Sequence, residues 1–239
     1  MITAAECKTY AEFVEKYQWY VYPVLSARIS RIHGLGSRAE VAIDMGTGPG
    51  HLTAYLARDH ADVVHAVDVN PAMHEIARAT CERLDPPGKV FFDLADVHDL
   101  PYPDGHADLV VSYSCFHHWA DPVRGLEECL RVLRPGGLLY LTDTDGARRD
   151  AGSIIKETVV EPEYFRFVAE AFEESVDRSA VAALVQSAGV SEFTLRDFVL
   201  EEEDVMAAID DFPPGRPLPA VSEKELGAVS WELVIRKTR

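Results

Sequence analysis

Two features between residues 41 and 70 have the types and spacing to hold an adenosine-containing ligand. The segment Val41-Ala-Ile-Asp-Met-Gly-Thr-Gly-Pro-Gly50 is an apolar run followed at once by glycines at 46, 48 and 50. Glycines there let the chain turn sharply and let a ligand approach the peptide groups closely. Asp68 closes the next apolar run, His65-Ala-Val-Asp68-Val-Asn70. A carboxylate at that place can accept hydrogen bonds from both hydroxyls of a ribose. Taken singly, the loop has the lesser alternative of a ligand-free turn, and Asp68 that of a solvated strand end. Together they put a glycine loop and an acid at adjacent strand ends, where open α/β sheets bind ligands. The dinucleotide fingerprint Gly-x-Gly-x-x-Gly would need glycine where His51 stands, which argues against a nicotinamide or flavin cofactor.

The elements that must position these residues follow from hydrophobic patterning. Apolar runs at Val41–Asp44, Val63–Val69, Val90–Leu94, Ala107–Ser112 and Leu138–Thr142 alternate with amphipathic stretches, the pattern of βαβ units and a parallel sheet. Asn70 is placed to cap a helix with Pro71 in its first turn, and Met73, Ile76, Ala77, Thr80 and Leu84 then share one face. After Asp121-Pro122, a stripe of Leu126, Cys129, Leu130 and Leu133 predicts another helix, ended by Arg134-Pro-Gly-Gly137. Short connections and right-handed crossovers then give a doubly wound sheet. Residues 5–33 are aromatic-rich (Tyr10, Phe13, Tyr17, Trp19, Tyr20, Tyr22) and read as one or two helices packed over the core. Residues 153–175 read as helical and Asp177 as the cap of a helix stopped by Gly189. Phe193–Leu200 and Ala228–Arg236 read as two further strands, and the proline-rich stretch 211–219 as a surface loop. We therefore expect a helical lid over residues 1–38, a catalytic domain over 39–239, and an acceptor-side helical insertion at 146–176.

Composition narrows the function. A chain of 239 residues that is 47% hydrophobic can bury one sizeable core. No apolar run is long enough to span a bilayer, and the first residues lack the pattern of a secretory signal, so a cytoplasmic, non-membrane protein is expected. The net charge of −17 would repel nucleic acid, an acidic excess of this kind more often marks solubility than function, and Glu201–Asp204 stands out as an acidic run. The scattered Cys7, Cys81, Cys115 and Cys129 suggest free thiols and no metal site.

With these segments in order, the chain resembles the class I S-adenosylmethionine-dependent methyltransferases over residues 41–145. Asp44-Met-Gly-Thr-Gly-Pro-Gly50 looks like that family's first motif, and Asp68 matches its ribose-binding acid. Asp96-Val97 resembles the segment that meets adenine, the acid at the amino group and its neighbour on the ring. Ala107–Trp119 is similar to the fourth strand and the turn bordering the methyl donor, and Arg131–Tyr140 to the turn before the fifth. The resemblance implies an α/β fold: a Rossmann-like, doubly wound, mostly parallel seven-stranded sheet with helices on both faces and the last strand antiparallel. It also implies S-adenosylmethionine as cofactor, held by Asp44, Gly46, Thr47, Gly48, Gly50, Asp68, Val69, Met73, Asp96, Val97 and Ser112.

The acceptor is less legible. His117 and His118, in the turn that the resemblance sets beside the donor methyl, are the candidate general bases, since imidazole titrates near neutrality. The alternative is that one of them packs or caps the following helix. Tyr17, Tyr20 and Tyr22 are candidates to close over the cofactor and receive the acceptor, with plain core as the other reading. Asp143 and Asp145 either line the acceptor pocket or face solvent. The expectation is a methyltransferase acting on oxygen, nitrogen or carbon of a small molecule, as a monomer or homodimer without nucleic-acid or membrane partners. The competing reading is a protein of the same fold that binds the cofactor as a non-methylating, cyclase-like enzyme or as a regulatory module.

Overall fold

The computed structural model describes residues 2–33, 38–216 and 229–238, apart from the side chains of 153 and 154. Seven strands form one sheet: β1 (Ala39–Met45), β2 (Ala61–Asp68), β3 (Lys89–Leu94), β4 (Ala107–Tyr113), β5 (Leu133–Thr144), β6 (Thr194–Phe198) and β7 (Ser230–Arg236). Their spatial order is β3-β2-β1-β4-β5-β7-β6. The first five run parallel, and β7 is antiparallel to both β5 and β6. The order reverses between β1 and β4, so the topological switch point falls at the carboxyl end of β1, where the glycine loop begins.

Period-two alternation sends successive residues to two buried layers. Ile43, Met45, Leu139 and Leu141 join the layer closed by α5 (Pro122–Val132) and α8 (Arg178–Ser187). Ala42, Leu138 and Tyr140 face the layer that also holds residues of α1 (Ala4–Phe13), α2 (Val21–His33), α3 (His51–Asp59) and α7 (Pro162–Glu174). Between β2 and β3, α4 (Pro71–Leu84) starts as its sequence anticipates, with the Asn70 side chain accepting from the Ala72 N–H at 3.0 Å.

Several elements differ from the sequence reading, each for a tertiary reason. The stretch 153–175 is two helices, α6 (Ala151–Ile155) and α7, the second starting at Pro162 because proline is suited to the first helical turn. The turn expected at Arg134–Gly137 is part of β5: the Gly136 N–H donates to the Lys237 carbonyl at 2.6 Å and Lys237 N–H to Gly137 at 3.0 Å. Asp177 precedes α8 without a side-chain capping bond. Asp145, buried and not facing solvent, accepts from the Arg178 N–H at 3.0 Å instead.

The acidic run opens α9 (Glu202–Ala207), and Asp204 within it is buried against Arg28 and Arg31 of α2. Fully buried Arg28 also donates to Glu232 of β7 at 2.9 Å, and Glu232 accepts from the Tyr140 hydroxyl at 2.9 Å. The N-terminal helices are thereby tied to the sheet through a compensated charge network. Ala228 and residues 217–219, expected in a strand and a loop, lie outside the described residues. Among the described residues no helix is long and apolar enough to cross a membrane.

Candidate active site

The glycine loop is built by backbone. Gly46, Gly48 and Gly50 have φ of +71°, +49° and +84°, values that L-residues with a side chain rarely adopt. Gly46 and Thr47 donate their N–H groups to the Val67 carbonyl at 2.8 and 2.9 Å, stitching the loop to β2. A Cβ on Gly50 would lie 2.7 Å from the Ala77 backbone, so glycine is what lets α3 start against α4. Beneath the loop, buried Asp44 accepts from the Thr53 hydroxyl at 2.5 Å, and Thr53 meets Thr47 at 2.6 Å. Burial pushes the Asp44 carboxyl up to about 6, against the lowering effect of the Thr53 and Thr47 hydrogen bonds. Ser112 donates to the Met45 carbonyl at 2.8 Å, and Met73 is buried. Asp44, Thr47 and Ser112 thus shape the cradle from behind.

Asp68 stands at its open side. Its carboxylate accepts from the Gly48 N–H at 3.1 Å and the Asn70 N–H at 2.8 Å. An ionised carboxylate has about four acceptor positions, so two remain for a pair of ribose hydroxyls. Burial raises the Asp68 pKa, opposed chiefly by the Asn70 and Gly48 N–H bonds. A Cβ on Gly48 would have nothing nearer than 3.9 Å, where the Gly46 carbonyl and the Tyr10 ring lie, so the cradle has free depth above this peptide. An adenosine-bearing cofactor fits these residues. Val69 is 46% exposed, Ala95 donates its N–H to the Asp68 carbonyl at 3.3 Å, exposed Asp96 accepts from the His98 N–H at 3.0 Å, and Val97 packs at the core's edge.

The second part of the site is built from side chains. After β4 the chain passes through Ser114 with φ of +51°, a left-handed value that stores strain in a residue other than glycine. Cys115 then packs against Gly46, and the 3₁₀ turn Phe116–His118 follows. His117 donates its backbone N–H to Asp143 at 2.9 Å and its Nδ1 lies 2.8 Å from the other Asp143 oxygen. Both side chains are almost fully buried. Since a carboxylate only accepts, the proton sits on Nδ1 and the lone pair on Nε2. Burial disfavours the charged imidazole, but the Asp143 charge and hydrogen bond outweigh it, and His117 titrates above its ordinary value. His118 differs: it is exposed, bonded to Glu174 of α7 at 3.0 Å, and shifted down by burial and by His117.

The predicted tyrosines take separate places, with Tyr22 at the end of the loop against His51. The Tyr17 hydroxyl donates to Glu161 at 2.6 Å, and Tyr20 packs edge-on to Trp19. Tyr22 is buried, stacked on His51 with ring centroids 5.1 Å apart. Tyr10, seven residues before Tyr17 on the same stripe, reaches Gly48, with Phe167 of α7 edge-on behind it at 5.2 Å. The spacing of Tyr10, Phe13 and Tyr17 along one stripe was the available signal, but which end overlies the loop depends on how α1 docks. Asn70 holds that dock, donating to the Ile2 carbonyl at 2.9 Å and the Cys7 sulfur at 3.3 Å. Glu174 had no signal in the sequence at all. Two open surface hollows, around Arg38, Asp62 and Lys89 and around Ser26, Arg58 and Asp211, touch neither part of the site.

Residues 43–141 match the family model described as a methyltransferase domain. The chain is 33% identical over 101 residues to 27-O-demethylrifamycin SV methyltransferase of Amycolatopsis mediterranei, a match covering 42% of this chain and 37% of that one. It is 28% identical over 162 residues to a ubiquinone/menaquinone biosynthesis C-methyltransferase of Vibrio parahaemolyticus, 62% of each. The matched part spans only 29% to 62% of the length of such curated relatives. In fold the likeness runs almost end to end: the plantazolicin methyltransferase BpumL, solved with a desmethylPZN analogue and SAH, superposes with a TM-score of 0.74 at 14% identity, over 97% of this chain and 90% of that one. By its glycine loop, its strand order and these matches, the segment 43–141 is similar to the methyltransferase domain of the class I S-adenosylmethionine-dependent enzymes.

Proposed function

We propose that this chain transfers a methyl group from S-adenosylmethionine to an oxygen, nitrogen or carbon atom of a small-molecule acceptor. The observation that carries this reading is the His117–Asp143 pair, held on the turn that packs against the glycine loop through Cys115. The cofactor, when bound, supplies a methyl group on a sulfonium centre. Asp68 takes the ribose hydroxyls, Asp96 the adenine amino group, and Val69, Met73 and Val97 give apolar surface to the ring. Asp44, Gly46, Thr47, Gly48, Gly50 and Ser112 hold the cradle in shape.

On the acceptor side, Asp143 fixes the His117 tautomer and leaves Nε2 to take the acceptor's proton as the nucleophile forms. A base is needed only for an acceptor that arrives protonated, and in-line alignment supplies much of the remaining rate. His118 is not the base in this reading, because it is exposed and engaged with Glu174. Residues 1–38 and 146–176 act as the cap that excludes water, with Tyr10 over the loop and Tyr17 and Tyr20 bracing the cap. The net charge of −17 favours acceptors that are not polyanions. We place the enzyme in the cytoplasm as a monomer or homodimer.

Calorimetric titration with S-adenosylmethionine, S-adenosylhomocysteine and NAD tests the cofactor, followed by incubation with metabolite pools and mass analysis of products. Saturable binding of the first two, with products gaining one methyl group and S-adenosylhomocysteine released, supports the reading. Binding of NAD alone overturns it, as does donor binding with no methylated product from any pool.

A further inference from the structure

His117, His118 and Glu174 each present one ligand atom within 4.8 Å of the others. Adjacent residues on a helical turn normally diverge, yet the two imidazole rings lie with centroids 4.0 Å apart and tilted by 57°. Glu174 arrives from the last turn of α7, 56 residues away in sequence, to meet His118 at 3.0 Å. Asp143 holds His117 through Nδ1, the arrangement in which a carboxylate orients a metal-ligating histidine and leaves its other nitrogen to the ion. Imidazole and carboxylate ligands suit first-row divalent ions, and three protein ligands leave coordination positions open. His118 and Glu174 are more than half exposed, at 60% and 53%, so their side chains can close on an ion without moving the backbone.

We infer that His117, His118 and Glu174 form a binding site for a divalent first-row metal ion, of which zinc is the representative, at the rim of the acceptor site. Such an ion occupies the Nε2 lone pair that His117 offers as base. It therefore shuts off proton removal until it is chelated. Its binding rests on the geometry alone, while its effect on turnover rests on the reading of His117 given above.

The test uses tag-free full-length protein stripped with EDTA, titrated with zinc by calorimetry and with cobalt by visible absorption at fixed pH. One equivalent is expected, with cobalt bands of a low-coordinate nitrogen and oxygen site. His118→Ala and Glu174→Gln should each weaken zinc binding at least tenfold. Zinc should inhibit wild-type methyl transfer reversibly by EDTA, while Glu174→Gln, each assay referred to its own metal-free turnover, resists the same concentration. Zinc binding that neither variant alters overturns the site, as does the absence of binding. If zinc binds with the expected variant losses and no methyl transfer is found in any metal state, the site stands and the proposed activity falls.

Discussion

The donor half and the acceptor half of the proposed site are built in different ways. The donor half, β1 to α4, is made of backbone: three glycines in left-handed conformations, two N–H groups on the Val67 carbonyl, and one carboxylate that takes two more. The acceptor half is made of side chains drawn from distant places, with His117 after β4, Asp143 on β5, Glu174 on α7 and Tyr10 on α1. A backbone cradle recognises what is common to every reaction of the family, while a side-chain assembly can change with the acceptor. The two halves should therefore fail differently when perturbed.

The largest effect is expected on the acceptor side. His117→Ala should lower kcat by about 10²–10⁴-fold, the range for a positioned general base, with cofactor affinity unchanged by calorimetry. Asp143→Asn should lose most of the same factor by freeing the wrong tautomer. Equal losses in cofactor binding would erase the distinction between the halves.

Gly50→Ala attacks the donor half through its fold. The left-handed φ costs a side chain about 1–2 kcal/mol, and displacing the Ala77 backbone costs a similar amount, so about 3 kcal/mol of stability should go, read as a lower denaturant midpoint. Asp68→Ala should leave stability nearly intact and weaken cofactor binding by about 1.5–3 kcal/mol through lost charge-assisted hydrogen bonds. Unchanged affinity would remove Asp68 from the cradle.

The smallest effect belongs to neither half. His60, buried at the opposite end of the sheet beside Ser26 and Asp59, with His33 and Arg38 also acting on it, is pushed down to about 4, chiefly by burial. Its folded pKa lies below its ordinary value of 6.5. The unfolded chain therefore binds the extra proton first, and stability present above pH 6.5 is lost as pH falls toward 4. Urea unfolding at pH 7 and pH 5 should differ by up to about 2 kcal/mol from this residue, and His60→Gln should flatten that slope.

Much of the donor half was legible because its determinants are contiguous. Glycine spacing, the Asn70-Pro71 start and the acid at the end of β2 are local demands of φ, capping and strand length, and they survive any docking. The five parallel strands followed from hydrophobic period in the same way. The acceptor half offered a histidine pair and a list of tyrosines, without the means to choose among them. Its partners are 26 residues apart for His117 and Asp143 and 56 for His118 and Glu174. The Arg28 network, linking α2 to α9 and β7, was read only as an acidic run for the same reason.

The sequence by itself determined the sheet and the glycine loop, since these depend on conformational preferences and hydrophobic faces that neighbouring residues encode, and its resemblance to a known family named the expected donor. Only the tertiary structure decided that Tyr10 and not Tyr17 overlies the loop, that Asp143 selects His117 over His118, and that Asp204 is buried. Those outcomes depend on which helix docks where, and docking is set by the summed packing of both layers, not by any one segment.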